Sequence, residues 1–125
     1  MLDEHPSSFG FHATVDRLTA AIAKAGMTVF ARIDHAAGAR SVGMDMPPAE
    51  VLIYGNPKGG TPIMLAAPLT ALDLPLRVLV REDPTGRTLI AFHPATEMLR
   101  DAGVPVDLST RLDPAQQVLV DAIKP

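Results

Sequence analysis

The stretch that decides the fold lies between Thr28 and Pro62: FARIDHAAGAR (30–40) leads through an apolar run, VLIYG (51–55), into GNPKGGTP (55–62). Residues 27–34 alternate, which predicts a strand with Val29, Ala31 and Ile33 on one face and Phe30, Arg32 and Asp34 on the other. The continuous apolar run 51–54 predicts an interior strand covered on both faces.

The connections around these strands follow from turn and cap residues. The segment 35–43 reads as a loop, with a short strand near 42–46 before Pro47 and Pro48. Thr61 is the predicted N-cap of the next helix and Pro62 its first residue, because hydroxyl side chains cap helices and proline fits their first turn.

Outside this stretch, apolar residues at helical spacing predict a first helix from about Phe11 or Thr14 to Ala25, capped by Gly26. Two strands, 76–81 and 87–92, flank DPTG (83–86) and predict a hairpin. A short helix is expected over 94–101, a surface connection over 103–110, and a last helix with Asp113 as cap and Pro114 as first residue. Its stripe of Val118, Leu119, Ala122 and Ile123 should pack on the body or on a partner.

These elements predict an α+β fold in two layers, with a curved antiparallel sheet and helices mainly on one of its faces. A chain of 125 residues without a long linker is expected to form one domain over residues 1–125.

Composition narrows the functional classes. The net charge of −3 and the absence of a Lys/Arg run argue against a nucleic-acid partner. Without cysteine the chain has neither disulfides nor thiolate metal sites, which fits a reducing cytoplasm. The acidic start MLDEHPSSFGF is unlike a signal peptide, and no apolar run has the length of a membrane span. We therefore expect a cytoplasmic protein without a membrane partner.

One group of residues predicts an anion-binding corner. Arg32, His35 and Lys58 bring positive or titratable groups to the stretch, and Asn56 precedes a glycine-rich helix start. N–H groups at such a start attract anions, so the predicted ligand site comprises Arg32, His35, Asn56, Lys58, Gly59, Gly60 and Thr61. A Walker motif needs lysine directly after its last glycine, whereas Thr61 follows Gly60, so nucleotide hydrolysis is not predicted.

Structural interpretations of the same residues remain open. Asn56 and Pro57 could simply form a turn, and Thr61 could cap a helix. Arg32 could pair with Glu50 or Asp45 on a neighbouring strand. His35, the weak catalytic candidate, could act as a general base, but the four histidines form no spacing typical of a metal site. We predict no metal and no cofactor.

Three motifs carry a family resemblance: FARIDHAAGA (30–39), GNPKGGTPIM (55–64) and DLPLRVLVRED (73–83). Together they resemble the bacterial DUF302 domain, over roughly Thr14 to Phe92. The resemblance implies a compact α+β fold with helices on a curved antiparallel sheet, frequent dimerisation and no established activity. Two departures stand out: Arg81 replaces a common tryptophan, and Phe92-His93-Pro94 replaces a tyrosine-asparagine-aspartate-proline segment.

Three functional hypotheses follow. The first is a non-enzymatic, homodimeric binding or interaction module that holds a small acidic ligand at the anion corner. The second is an enzyme that uses His35 as general base and the helix start as an oxyanion site. The third confines the function to subunit association.

Overall fold

The computed structural model describes residues 2–125, which form an α+β fold around one antiparallel sheet. The strands are β1 (Asp3–Pro6), β2 (Thr28–Asp34), β3 (Ala49–Gly55), β4 (Leu76–Glu82) and β5 (Thr88–Phe92), in the spatial order β1-β5-β4-β3-β2. The helices are α1 (Phe11–Lys24), α2 (His35–Ser41), α3 (Pro57–Ala66), α4 (Ala95–Asp101), α5 (Val106–Ser109) and α6 (Asp113–Ala122), with a 3-10 helix at Pro68–Leu72. The predicted fold class is confirmed.

The core lies between one face of the sheet and the helices. Leu18 and Ile22 of α1 and Leu119 of α6 are fully buried against alternate residues of the central strands. Those strand residues are Leu52, Tyr54, Leu76, Val78, Val80, Ile90 and Phe92. Because side chains alternate along a strand, this arrangement uses only one face of the sheet for the core.

The other face carries no helix layer of comparable burial. Val51, Ile53 and Leu79 alternate with the core residues and are only partly buried. The prediction that the 51–54 run is covered on both faces is therefore wrong: β3 has one buried and one half-open face.

The hairpin is confirmed, and its turn explains it. The Asp83 carboxylate accepts hydrogen bonds from the Thr85 hydroxyl at 2.7 Å and from the backbone N–H groups of Thr85 and Arg87. These bonds, led by that from the Thr85 hydroxyl, hold the pKa of Asp83 below its usual range. Gly86 adopts φ +85°, a conformation that side chains disfavour.

The last helix was predicted with a cap one residue too late, since Asp113 already lies within α6. Leu119 and Ile123 of its apolar stripe are buried in the chain's own core, where α6 packs against α1. The stripe is thus used within the chain. None of the helices in residues 2–125 has both the length and the apolar character needed to cross a bilayer.

Two segments of the first stretch differ from the prediction. Residues 35–41 form α2 instead of a loop, because the Asp34 side chain caps them by accepting the Ala37 N–H at 2.9 Å. The expected strand at 42–46 is irregular chain, and the sheet gains the unpredicted β1, which pairs with β5. Four residues ending in a proline gave too short a pattern to indicate β1.

Strand β2 also breaks its alternation. A bulge between Val29 and Ala31 pairs Val29 with Tyr54 and Ala31 with Ile53. The extra residue turns Val29 and Ala31 to opposite faces, so the predicted common face of Val29, Ala31 and Ile33 is wrong.

Candidate functional site

Helix α3 begins five residues earlier than the sequence predicted. Asn56 is its N-cap, and its side-chain oxygen accepts the Lys58 N–H at 3.0 Å. The Asn56 carbonyl accepts the N–H groups of Gly59 and Gly60, each at 3.0 Å. Thr61 and Pro62 consequently lie inside the helix, and the predicted cap at Thr61 is wrong. The amides proposed for an anion are hydrogen-bonded within the chain.

A pocket of about 480 Å³ opens beside this helix start. Its walls come from the α1–β2 turn, the end of β3, the first two turns of α3, the segment before β4 and the start of α6. Most lining side chains are apolar: Ala25, Met27, Phe30, Pro57, Met64, Leu74, Pro75, Leu76, Leu112, Pro114, Ala115 and Val118. The remaining lining residues are Gly55, Asn56, Gly59, Gly60, Thr61 and Arg111.

The fold brings part of the predicted site together at this pocket. Asn56, Gly59, Gly60 and Thr61 all line it. Lys58 is exposed and is not among the lining residues.

Arg32 is committed elsewhere. It lies beside Leu52 on the helix-covered face, and its Nε donates to the Glu50 carboxylate at 2.7 Å. The hydrogen bond with Glu50 is the main cause that raises the pKa of Arg32. The alternative in which Arg32 pairs with Glu50 is confirmed, and its predicted approach to the Gly59–Thr61 amides is not observed.

His35 lies at the opposite end of the sheet from the pocket. Asp34 pairs with Glu50 and Thr28 pairs with Gly55. Five residues of an antiparallel strand span roughly 17 Å, which separates His35 from the α3 start. Asp34 caps α2 instead of orienting the imidazole. Within residues 2–125, no group of three or more His, Asp or Glu side chains is placed to hold a metal ion.

Two residues of the site were missed. Arg111 is the charged residue among the described pocket lining. It directly follows the segment 103–110, which the sequence predicted to be only a surface connection. Tyr54 lies behind the pocket wall: its hydroxyl donates to the carbonyl of Ala115 at 3.3 Å, and burial raises its pKa. No local pattern predicts either contact, because both join segments more than 50 residues apart.

Comparison with known proteins gives a family match over nearly the whole chain. The model of the family "Domain of unknown function DUF302" matches residues 4–124. In the crystal structure of an uncharacterized conserved DUF302 protein from Bacillus stearothermophilus, the same fold recurs with a TM-score of 0.83 and 19% identity. That similarity covers 98% of this chain and 94% of the other.

Similar sequences also occur inside longer proteins. "Fluoride-specific ion channel FluC 1" of Brucella suis biovar 1 (strain 1330) is 45% identical over 80 residues, which is 64% of this chain and 32% of that protein. "Fluoride-specific ion channel FluC 1" of Brucella abortus biovar 1 (strain 9-941) has the same identity over 80 residues, which is 30% of its length. The similar segment makes up about a third of these relatives.

Proposed function

Because the chain belongs to the DUF302 family of domains of unknown function, we propose its role from its own geometry: it is a binding module for a small, largely apolar organic molecule. The observation that carries this proposal is the pocket of about 480 Å³ beside α3. Small-molecule sites commonly have volumes of about 300–1,000 Å³, mostly apolar walls and a few polar groups. This pocket has those properties.

The composition of the pocket favours binding over catalysis. Its described lining residues include no histidine, aspartate or glutamate, so no side chain of these types borders it as a general base. His35, the base in the enzymatic alternative, lies beyond the other end of β2. The geometry therefore supports the first hypothesis of the sequence, with the site moved from the helix amides to the apolar pocket.

The Brucella relatives support the proposal that this chain acts as a module, because a similar segment is one part of longer proteins. A segment similar to this chain forms about a third of two proteins named fluoride-specific ion channels, joined there to other sequence. Fluoride itself does not suit this pocket. A small anion would give up its hydration water on entry, and the walls offer few hydrogen-bond donors to replace that water. We therefore assign the pocket to an organic molecule.

The test uses the neutral fluorescent probe N-phenyl-1-naphthylamine. We expect wild type to bind it with enhanced emission, and Gly60→Leu to lose that binding. A Cβ at Gly60 would lie 3.8 Å from Met64 and 3.9 Å from Leu74, which are ordinary contact distances. Both residues line the pocket, so a leucine side chain at position 60 is directed at the pocket wall. Leucine also favours a helix more than glycine does.

The matched control is Ala66→Leu, which places the same side chain at an exposed position of α3 outside the pocket lining. It should bind the probe as wild type does. Circular dichroism melting curves establish that both variants fold. If wild type does not bind the probe, or if the folded Gly60→Leu protein binds it equally well, the pocket is not a binding site and the proposal is wrong.

We also propose that a second copy of this chain covers the open face of the sheet. Ile33, Val51 and Leu79 form an apolar row across β2, β3 and β4 on that face, and Ala91 continues it on β5 with only 6% of its surface exposed. With strands about 4.8 Å apart and about 3.3 Å per residue, the five strands offer a flat footprint of roughly 480 Å². A specific interface buries ~800 Å² on each partner, so the second copy would have to cover the whole of this face.

Size-exclusion chromatography with light scattering tests the dimer. Wild type at micromolar concentration should have twice the mass of the 13.2 kDa chain, and Ile33→Lys should shift it to 13.2 kDa. Ile33 is 43% exposed, so the substitution is compatible with the folded chain. Leu65→Lys, on the exposed side of α3, should leave the dimer intact. A 13.2 kDa wild type would rule out this assembly.

A further inference from the structure

Among the described residues that line the pocket, one side chain carries charge. Arg111 is the charged member of the described lining, and the lining contains neither Asp, Glu nor Lys. No hydrogen bond or ion pair joins its guanidinium to another of the residues 2–125. By contrast, three other arginines form ion pairs with a carboxylate within 3.1 Å: Arg32, Arg81 and Arg87.

The backbone around Arg111 is held by one packed neighbour and one hydrogen bond. Leu112 is partly buried and packs against both apolar clusters of the core. The Arg111 N–H donates to the carbonyl of Leu108 at 3.2 Å. The nearest acid that follows, Asp113, accepts the Thr96 hydroxyl at 2.5 Å instead of pairing with the guanidinium. Among residues 2–125, Arg111 is thus an exposed cation without an ion-pair partner, at the border of an apolar cavity.

We propose, on the basis of the binding function above, that the ligand is an apolar monocarboxylic acid whose carboxylate pairs with Arg111 while its carbon skeleton fills the pocket. A planar guanidinium matches a carboxylate through two parallel hydrogen bonds. Apolar walls strengthen that attraction because they keep water away from part of it. One arginine balances one negative charge, whereas a phosphate monoester, with about two, would keep uncompensated charge against apolar walls.

The experiment compares decanoic acid with decan-1-ol as competitors of N-phenyl-1-naphthylamine at pH 7.5. The two compounds share a chain length and differ in charge. We expect the acid to displace the probe from wild type about five- to tenfold more strongly than the alcohol, the range of a partly exposed charge-assisted pair. Sodium chloride at high concentration should weaken the competition by decanoic acid and leave the competition by decan-1-ol unchanged.

Arg111→Met keeps an apolar stem without the charge and should abolish the preference for the acid. Arg111→Lys keeps the charge and should restore part of it. Arg100→Met is the matched control, because Arg100 is an exposed arginine on α4 outside the pocket lining. It should retain the wild-type preference.

The outcomes separate this inference from the function on which it rests. If the probe does not bind wild type, the pocket proposal is wrong and the inference is overturned with it. If acid and alcohol compete equally in wild type, or if Arg111→Met retains the preference, the pocket binds ligands without selecting acids and only the inference fails. A salt-independent preference for the acid likewise contradicts a role for charge.

Discussion

The two ends of strand β3 differ in the charge that surrounds them and in what they expose. At the Glu50 end, Arg32 is paired with Glu50 and Asp34 caps α2. At the Gly55 end, the walls are apolar and Arg111 has no described partner. The end with more charge nearby in sequence uses that charge for internal structure. The Gly55 end, which has less charge nearby in sequence, has the cavity. The density of charged residues along the chain was therefore a poor guide to the ligand site.

The largest expected effect concerns the packing of α3, the helix that forms one wall of the pocket. Ile63 of α3 is fully buried in a cluster with Leu99 and Val104. Ile63→Ala should lower the free energy of unfolding by about 2–5 kcal/mol, because it removes buried methylene groups and leaves a cavity. Urea denaturation measures this loss.

Leu65→Ala, two residues further along the same helix, is the control for that experiment. Leu65 is 78% exposed, so its removal should change the free energy of unfolding by no more than about 0.5 kcal/mol. Equal losses at the two positions would mean that α3 does not present Ile63 to the core, and the pocket wall would have to be placed differently.

At the charged end, Arg32→Met should reduce the free energy of unfolding by about 1–2 kcal/mol. The Glu50 side chain is only 9% exposed and would lose its charged donor, while the half-exposed Arg32 limits the effect through solvent screening. Probe binding at the pocket should not change. A loss of probe affinity in a folded Arg32→Met protein would show that the two ends are coupled and would weaken the contrast between them.

Each end also has one capping side chain, and the two caps can be compared directly. Asn56→Ala and Asp34→Ala should each lower the free energy of unfolding by about 1 kcal/mol, since each removes an acceptor from a helix N–H. Only Asn56→Ala should also weaken probe binding, because only Asn56 lines the pocket. Thermal melts with titrations of the probe measure both quantities, and an equal loss of binding in both variants would refute the assignment.

The smallest effect at neutral pH belongs to Tyr54. Tyr54→Phe removes the 3.3 Å bond to the Ala115 carbonyl and should lower the free energy of unfolding by about 0.5 kcal/mol. Above pH ~10, an exposed tyrosine in the unfolded chain loses its proton, whereas burial keeps Tyr54 protonated in the folded chain. Stability of wild type therefore falls as the pH rises through this range.

Tyr54→Phe should lack that part of the alkaline decline, so the two proteins should become more equal in stability above pH ~10. The difference between their denaturation curves isolates the contribution of Tyr54 from those of the other ionisable groups. Tyr54 is the single tyrosine of the chain, so absorbance near 295 nm follows its ionisation directly. Ionisation of the folded protein at the ordinary pKa would contradict the buried hydroxyl.

Local pattern predicted much of the fold because short-range rules govern its elements. The helical spacing of Leu18 and Ile22 gave α1, and the positive φ of Gly26 ends it as predicted. The turn at Asp83–Gly86 gave the hairpin. Errors arose where one side chain changed a boundary: Asp34 capped a helix over a predicted loop, Asn56 moved the start of α3, and the bulge at Phe30 reversed part of β2.

The sequence by itself determined the α+β class and the hairpin, because turn chemistry and apolar periodicity act over a few residues. Only the tertiary structure decided the site. Antiparallel pairing of β2 with β3 placed His35 and the α3 start at opposite ends of the sheet, and packing of α6 brought Arg111 to the pocket from 50 residues away. Such proximity depends on strand register and helix packing between distant segments, and these are settled only when the whole core assembles.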